Sequence, residues 1–282
     1  MLKYRLIFGT LMTIAFIGIV LLNGYFDGYL TAAYDKTFHG TLVVILVALL
    51  MVPASFELSK LAAAKGARIL LPVSIPASVL LATCCFWLPF SLLDGFVCFL
   101  LSFTLMACFL YQRIRYGLSG VLVNCGAACF SILYLGALGA FVPATYIDFG
   151  PWHLLMFIFV VKCSDIGAYT AGRLFGKHKF SPEISPKKTW EGMAGAVALA
   201  ALVAVAFAVF CDIMSWRLAI VFGVIFAFLG QLGDLAESML KRDAEIKDSS
   251  NSVPGFGGIL DVVDSVLITA PFGYLFFSLL GR

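Results

Sequence analysis

Two pairs of carboxylates lie within strongly apolar segments in the C-terminal part of the chain. Asp234 is three residues before Glu237, and Asp261 is three residues before Asp264. In a helix this spacing places both carboxylates of a pair on one face. Ionisable groups in such segments are costly, usually face the interior of a helix bundle, and are functional. Oxygen ligands without a His or Cys cluster favour Mg²⁺, Mn²⁺ or Ca²⁺ over zinc, so the pairs predict a divalent-cation site.

Structural ion pairing is the alternative interpretation of these acids. Lys162, Lys241 and Arg242 are the nearby bases that could compensate the negative charges. Lys162 lies three residues before Asp165 in one apolar segment, and for this lysine alone a structural pair with Asp165 is the favoured interpretation. For the acids taken together we favour the metal site.

The polar segment SPKKTWEG contains groups that bind phosphate. It supplies two hydroxyls and two cations, from Ser185, Lys187, Lys188 and Thr189. Thr189 is expected to cap the following helix, whose N-terminus would attract an anion. The two lysines could instead be ordinary charges of a cytoplasmic loop. With the hydroxyls beside them, we favour a site for a triphosphate.

A second polar segment joins the two acid pairs and reads SMLKRDAEIKD, followed shortly by PGFGG. Its candidate substrate-binding and catalytic residues are Ser238, Lys241, Arg242, Lys247, Asp248, Gly257 and Gly258. Glycines let backbone amides approach a ligand closely, although this glycine motif alone is a weak signal. A metal, basic side chains and backbone amides around phosphate are typical of phosphoryl or nucleotidyl transfer.

The composition indicates that apolar helices position these groups. The chain has 282 residues, of which 62% are hydrophobic and 12% charged, whereas soluble domains have about 25% charged residues. Long apolar runs favour an all-α polytopic membrane protein over a barrel. The net charge of +3 is too small to indicate nucleic-acid binding. About nine transmembrane helices are expected, near residues 6–24, 40–56, 70–90, 92–111, 118–140, 152–172, 192–211, 217–238 and 258–280.

The distribution of basic residues predicts the orientation. With the N-terminus in the cytoplasm, fifteen of the 19 Lys and Arg residues fall on the cytoplasmic side, and three fall on the other side. This asymmetry follows the positive-inside rule. It places the acids of three spans near the cytoplasmic surface. We expect residues 1–150 to form about five N-terminal spans and residues 151–282 to form a catalytic domain of about four.

These motifs resemble those of the phosphatidate cytidylyltransferase family, also called CDP-diacylglycerol synthases. The matching segments are SDIGAYTAGRLFGKHK, SPKKTWEG, GDLAES, SMLKRDAEIKD, PGFGG and DVVD, in this order within about residues 160–270. Two positions depart from the family pattern, because Phe256 stands where His is usual and Val262 where Arg is usual. A phosphate monoester is already largely ionised near pH 7, so the missing His does not exclude the reaction.

The resemblance implies that CMP is transferred from CTP to phosphatidic acid, giving CDP-diacylglycerol and pyrophosphate. It implies Mg²⁺ on Asp234 and Asp261, a monovalent cation such as K⁺ as a helper, and a homodimer. Lys241, Arg242 and Asp264 join the two metal ligands as expected catalytic residues, with Asp165 and Glu237 in support. The expected location is a bacterial inner membrane, with the site facing the cytoplasm.

Two other functions remain as alternatives. A cation-coupled secondary transporter also has acids in its spans, but it typically places them near the membrane midplane between related repeats, and no repeat is visible here. A CTP-dependent lipid-alcohol kinase would use the same nucleotide and transfer its γ-phosphate. Both are less well supported than cytidylyl transfer.

Overall fold

The computed structural model describes residues 2–34, 37–246, 249–250, 252–253, 255 and 257–280. Within these ranges the regular elements are helices, and β-structure is limited to two isolated bridges. The helices are α1 (Leu2–Tyr34), α2 (Thr41–Ala64), α3 (Leu71–Trp87), α4 (Phe90–Tyr116), α5 (Val121–Ser131), α6 (Phe141–Phe149), α7 (Pro151–Phe175), α8 (Trp190–Cys211), α9 (Trp216–Asp243) and α10 (Ile259–Leu280). A π-helical segment, Ile132–Ala137, connects α5 with α6.

The all-α membrane fold is confirmed, and the count of spans is close to the expected nine. Eight helical segments within the described ranges are long and apolar enough to cross a membrane, and one of them runs through α5, the π segment and α6 over 29 residues. The helix α3 is apolar but has 17 residues, fewer than the roughly 20 that span a bilayer core. The second span was predicted to end at residue 56, whereas α2 continues to Ala64.

The chain forms two units. The first unit contains Met1–Asp148 and Asp243–Val262, and the second contains Phe149–Arg242 and Val263–Arg282. The segment that leads into α10 therefore groups with the N-terminal helices. The expected division into residues 1–150 and 151–282 stays a prediction.

In the first unit, two polar side chains of α1 cap the N-terminus of α2. Asp27 accepts hydrogen bonds from the backbone N–H groups of Gly40 at 2.7 Å and Thr41 at 3.2 Å. Asn23 accepts one from the N–H of Leu42 at 2.6 Å. The first N–H groups of a helix lack partners within it, and these side chains supply them from a neighbouring helix. Gly40 has a φ of 86°, which favours glycine at this turn.

The second unit is held together by aromatic rings from three of its helices. Phe222 and Phe226 of α9 are stacked, with ring centroids 4.1 Å apart. Phe157 of α7 lies 5.8 Å from the ring of Phe226, and Phe277 of α10 lies 5.3 Å from the ring of Phe222. All four side chains are buried. This packing holds α7, α9 and α10 side by side, and these helices carry the acidic residues.

The helices α7 and α8 approach each other closely because small residues face each other. A Cβ atom added to Gly167 of α7 would overlap the carbonyl oxygen of Gly195 on α8. One added to Gly192 would lie 2.9 Å from the carbonyl oxygen of Ala168. The backbones are therefore in contact, and this contact fixes both ends of the loop 176–189.

Candidate functional site

Three carboxylates converge in the second unit, where α9 faces α10. One oxygen from each of Asp234, Glu237 and Asp264 lies within 4.8 Å of the others. Glu237 and Asp264 are buried and Asp234 is partly exposed. Gly233 makes this approach feasible, because a Cβ there would lie 3.0 Å from the Cα of Ser265. The oxygens of Asp234 and Glu237 lie on one side of α9, as their spacing predicted.

Each of these acids has a lysine beside it. The Nζ of Lys188 lies 2.7 Å from Oδ2 of Asp234, and the Nζ of Lys162 lies 3.9 Å from Oδ1 of Asp264. Glu237 forms an ion pair with Lys241, one helical turn later on α9. The lysines offset the repulsion between the clustered carboxylates. Each carboxylate has two oxygens, so an acid that forms an ion pair through one oxygen can still bind a cation through the other. The arrangement therefore contains the ion pairs of the alternative interpretation and is also compatible with a metal ion.

Polar contacts extend from this cluster to Asp165 on α7. Lys162 donates to the hydroxyl of Ser265 at 2.8 Å, and that hydroxyl donates to Asp165 at 3.5 Å. Gln231 donates its amide to Asp165 at 2.9 Å. Among the described residues the ion pair of Lys162 is with Asp264, so the predicted direct pair with Asp165 is replaced by a contact through Ser265. Lys162 reaches across to α10 instead of staying on its own helix.

The loop 176–189 brings Lys188, one of the two lysines of the SPKK segment, into the cluster. Lys188 bonds the backbone carbonyl of Gln231 at 3.0 Å in addition to Asp234. Thr189 accepts a hydrogen bond from the N–H of Gly192 at 3.1 Å, which confirms the predicted cap of α8. Lys187 is exposed.

The end of α9 contacts the same loop. The Nε of Arg242 donates to the carbonyl of Ile184 at 3.2 Å. Ser185 and Ser238 are half-buried, in the loop and on α9 respectively. The roles of Arg242, Ser185 and Ser238 in substrate binding stay predictions.

The segment before α10 belongs to the first unit. Asp261 accepts hydrogen bonds at its Oδ2 from the N–H groups of Gly258 at 2.7 Å and Ser249 at 3.1 Å. Gly257 has a φ of 103°, which favours glycine. Its backbone forms an isolated bridge with Val253. The proposed sharing of one metal by Asp261 and Asp234 stays a prediction.

Three residues singled out in the sequence, Lys247, Asp248 and Phe256, lie outside the described residues. Val262, the other departure from the family pattern, is half-buried in the first turn of α10. The substrate-binding roles predicted for Lys247 and Asp248 therefore stay predictions.

The sequence analysis missed four residues around the predicted acids: three contact an acid directly, and Glu57 is linked to Asp261 through the hydroxyl of Ser249. Gln231 and Ser265 lie in the second unit, and Glu57 and Ser249 lie in the first. The signal for Glu57 was an acid at the end of an apolar run, where the predicted span stopped one residue short of it. Gln231 and Ser265 carried no comparable signal, because uncharged polar side chains in spans are common. Ser249 lies in a polar segment before α10, where a serine is equally common.

Comparison with known proteins assigns the chain to a family. The sequence model of the cytidylyltransferase family matches residues 3–280, almost the whole chain. The chain belongs to the cytidylyltransferase family. The resemblance found in the motifs of residues 160–270 is thereby extended to the N-terminal helices.

Several curated relatives of this cytidylyltransferase-family chain are named phosphatidate cytidylyltransferase. The chain is 41% identical to the one from Haemophilus influenzae over 140 residues, which cover 46% of this chain and 49% of the relative. It is 37% identical to the one from Bacillus subtilis over 157 residues, covering 55% and 58%. For Staphylococcus saprophyticus the identity is 46% over 122 residues, covering 42% and 46%. The chain thus spans about half the length of the curated relatives that it matches.

Proposed function

We propose that this protein is a phosphatidate cytidylyltransferase, which transfers CMP from CTP to phosphatidic acid and releases pyrophosphate. The observation that carries the proposal is the cluster of Asp234, Glu237 and Asp264 with a lysine beside each acid. Clustered acids and lysines suit a reaction in which a metal and several phosphates meet. Membership of the cytidylyltransferase family and the name of the bacterial relatives support CTP and phosphatidic acid as the substrates.

The proposed metal is Mg²⁺, with Asp234 and Asp261 as its ligands and K⁺ as a helper cation. The donor set around Asp234 fits a hard cation, because it consists of carboxylate oxygens without His or Cys. Glu237 and Asp264, which flank Asp234, raise the negative potential that attracts such a cation. When bound, Mg²⁺ neutralises the phosphates of CTP and stabilises the pyrophosphate that leaves.

The basic residues of the chain bind and orient the phosphates in this proposal. Lys188 holds Asp234 through a 2.7 Å ion pair and also bonds the carbonyl of Gln231, which leaves one N–H donor for a phosphate oxygen. Lys187, which is exposed, supplies a second cation from the same loop. Lys241 and Arg242 lie at the cytoplasmic end proposed for α9 and contact phosphate from that side. Ser185, Thr189, Ser238 and the glycines Gly257 and Gly258 complete the substrate-binding set.

The reaction is an in-line displacement. A phosphate oxygen of phosphatidic acid attacks the α-phosphorus of CTP, a new O–P bond forms, and the bond from that phosphorus to the bridging β-phosphate oxygen breaks. The second pKa of a phosphate monoester is about 6, so the nucleophile is largely ionised near pH 7 and needs no strong general base. Asp264 and Asp165 act by orienting Lys162, which bonds the serine hydroxyl between them.

The membrane setting fits these substrates. The apolar helices support an integral membrane protein, and we propose a bacterial inner membrane with the N-terminus and the site on the cytoplasmic side. A lipid then enters from the bilayer and the nucleotide enters from water. We further propose a homodimer, as the family resemblance implies.

The test is turnover by the purified protein in nanodiscs that contain phosphatidic acid. With CTP and Mg²⁺ we expect release of pyrophosphate and formation of CDP-diacylglycerol. Asp234→Asn removes one charge of the cluster and is expected to abolish both products. Asp212→Asn is the matched control, because Asp212 lies in the turn after α8, where its φ of 50° also suits Asn. An inactive wild type, or full activity in Asp234→Asn, contradicts the proposal.

A further inference from the structure

A buried acid of α2 caps the N-terminus of α10. Glu57 is 3% exposed. It accepts hydrogen bonds from the backbone N–H groups of Ile259 at 3.1 Å and Leu260 at 2.8 Å. It also accepts bonds from the hydroxyls of Ser249 at 2.9 Å and Ser250 at 2.6 Å. A buried carboxylate is costly without such partners, and the first N–H groups of a helix need acceptors, so each side satisfies the other.

Asp261 completes this cap from within α10. It is the third residue of the helix and reaches back to the N–H of Gly258, the residue before the helix. A side chain at this position that bonds the preceding N–H is one half of a capping box. Glu57 takes the two N–H groups between them. The orientation of Asp261 and the position of Glu57 are therefore set by the same few backbone groups.

One hydroxyl joins the two carboxylates directly. The Oγ of Ser249 lies 2.9 Å from Oε2 of Glu57 and 3.0 Å from Oδ2 of Asp261. A serine hydroxyl has a single proton, so the two acids share this donor. If either carboxylate is displaced, the hydroxyl of Ser249 donates to the remaining carboxylate alone, and the hydrogen bonding of that carboxylate changes. The two acids are thus coupled within the first unit.

Gly258, the residue before α10, lies in close contact with Ser249 and Glu57. A Cβ added to Gly258 would overlap both Oγ of Ser249 and Oε2 of Glu57. Gly258 is buried. The close contact explains why a residue without a side chain occupies this position, beyond any contact with a ligand.

We infer that Glu57 is a positioning residue for Asp261: it anchors the first turn of α10 so that Asp261 is presented in one orientation. The inference rests on the proposed function in one respect, since there Asp261 is a metal ligand. Glu57 acts through Asp261 and the α10 backbone, and no contact with substrate is assigned to it.

A matched control exists at the other end of α2. Asp27 is 5% exposed and caps the N-terminus of α2 from α1, through Gly40 and Thr41. It is a buried acid capping a helix from a neighbouring helix in the same unit, as Glu57 is. Asp27→Asn therefore reports the general cost of weakening such a cap.

The first test is hydrogen–deuterium exchange of the protein in nanodiscs. Glu57→Ala removes both acceptor oxygens and is expected to raise exchange of the Ile259 and Leu260 amides by about tenfold or more, since hydrogen bonds to charged groups are the strong ones. Glu57→Gln keeps one acceptor oxygen and is expected to fall between wild type and Glu57→Ala. Asp27→Asn is expected to raise exchange at Gly40 and Thr41 and leave α10 unchanged. Unchanged exchange at α10 in both Glu57 variants overturns the inference.

The second test is Mn²⁺ binding without substrate, measured by electron paramagnetic resonance. Outer partners of metal ligands usually affect metal affinity by about 10–100-fold, so Glu57→Gln is expected to weaken binding by about tenfold or more. Asp27→Asn is expected to stay within about twofold of wild type, because distant sites act independently. Equal weakening in both variants would show a merely structural role and overturn the inference. Neither readout needs turnover, so an inactive wild type would refute the proposed function alone.

Discussion

The ion pair between Lys188 and Asp234 provides a quantitative test of the acidic cluster. Lys188→Met removes the cation and leaves Asp234 beside Glu237 and Asp264 without its nearest compensating charge. Asp234→Asn removes the acid and leaves Lys188 without its carboxylate. The double variant removes both charges. The three variants and the wild type form a double-mutant cycle, which isolates the coupling between the two side chains.

The expected coupling follows from distance and exposure. At the 2.7 Å separation, Coulomb's law gives about 6 kcal/mol at an effective dielectric constant of roughly 20 and about 1.5 kcal/mol in bulk water. The side chain of Lys188 is 12% exposed and that of Asp234 is 37% exposed. Water therefore screens the acid but hardly reaches the amine. We expect a coupling of about 2–4 kcal/mol, between the two limits.

The measurement is the free energy of unfolding in mixed micelles, followed by tryptophan fluorescence during denaturant titration. The control cycle uses Lys65→Met and Asp243→Asn. These side chains are 3.4 Å apart, but 45% and 71% exposed, so their coupling should stay below about 1 kcal/mol. Additivity within about 0.5 kcal/mol for Lys188 and Asp234 would refute the reasoning. That result would mean that other groups compensate the charges of Lys188 and Asp234.

Three further predictions concern packing, substrate binding and metal. Gly167→Ala forces a methyl group against the α8 backbone and should lower the free energy of unfolding by about 1–3 kcal/mol. Gly126→Ala is the control and should not lower it, because no atom lies within 4 Å of the added Cβ. Lys187→Ala should raise KM for CTP with membrane insertion unchanged; unchanged CTP kinetics would remove it from the site. Asp234→Asn and Asp261→Asn should each abolish turnover. If each variant keeps some activity and the double variant loses the sum of the two activation free energies, the two acids do not share a metal.

Most of the helices could be predicted from the sequence, since the length of an apolar run sets how far a helix extends through hydrocarbon. The runs that became α7, α8 and α9 were located to within a few residues at most ends. The end of α2 was predicted too early, because the predicted span stopped before the charged residues Glu57 and Lys60, whereas the helix continues through them. The break between α5 and α6 could not be seen, because the apolar run continues through the π segment.

The candidate site could be predicted in part. Spacing alone placed Asp234 and Glu237 on one helical face, and the Thr189 cap followed from the residue type before an apolar run. Which lysine pairs with which acid could not be read, because Lys162 reaches from α7 to α10 and Lys188 reaches from a loop to α9. Such contacts depend on how helices pack, which periodicity along one helix does not specify.

The fate of the phosphates of CTP tests the proposed cytidylyl transfer most directly. The purified protein in nanodiscs with phosphatidic acid would receive CTP labelled with radioactive phosphorus at either the α- or the γ-phosphate. We expect the α-label to appear in the lipid as CDP-diacylglycerol and the γ-label to appear in free pyrophosphate, both lost in Asp234→Asn. A γ-label in the lipid fraction would indicate a kinase, and no label in lipid from either nucleotide would contradict nucleotidyl transfer.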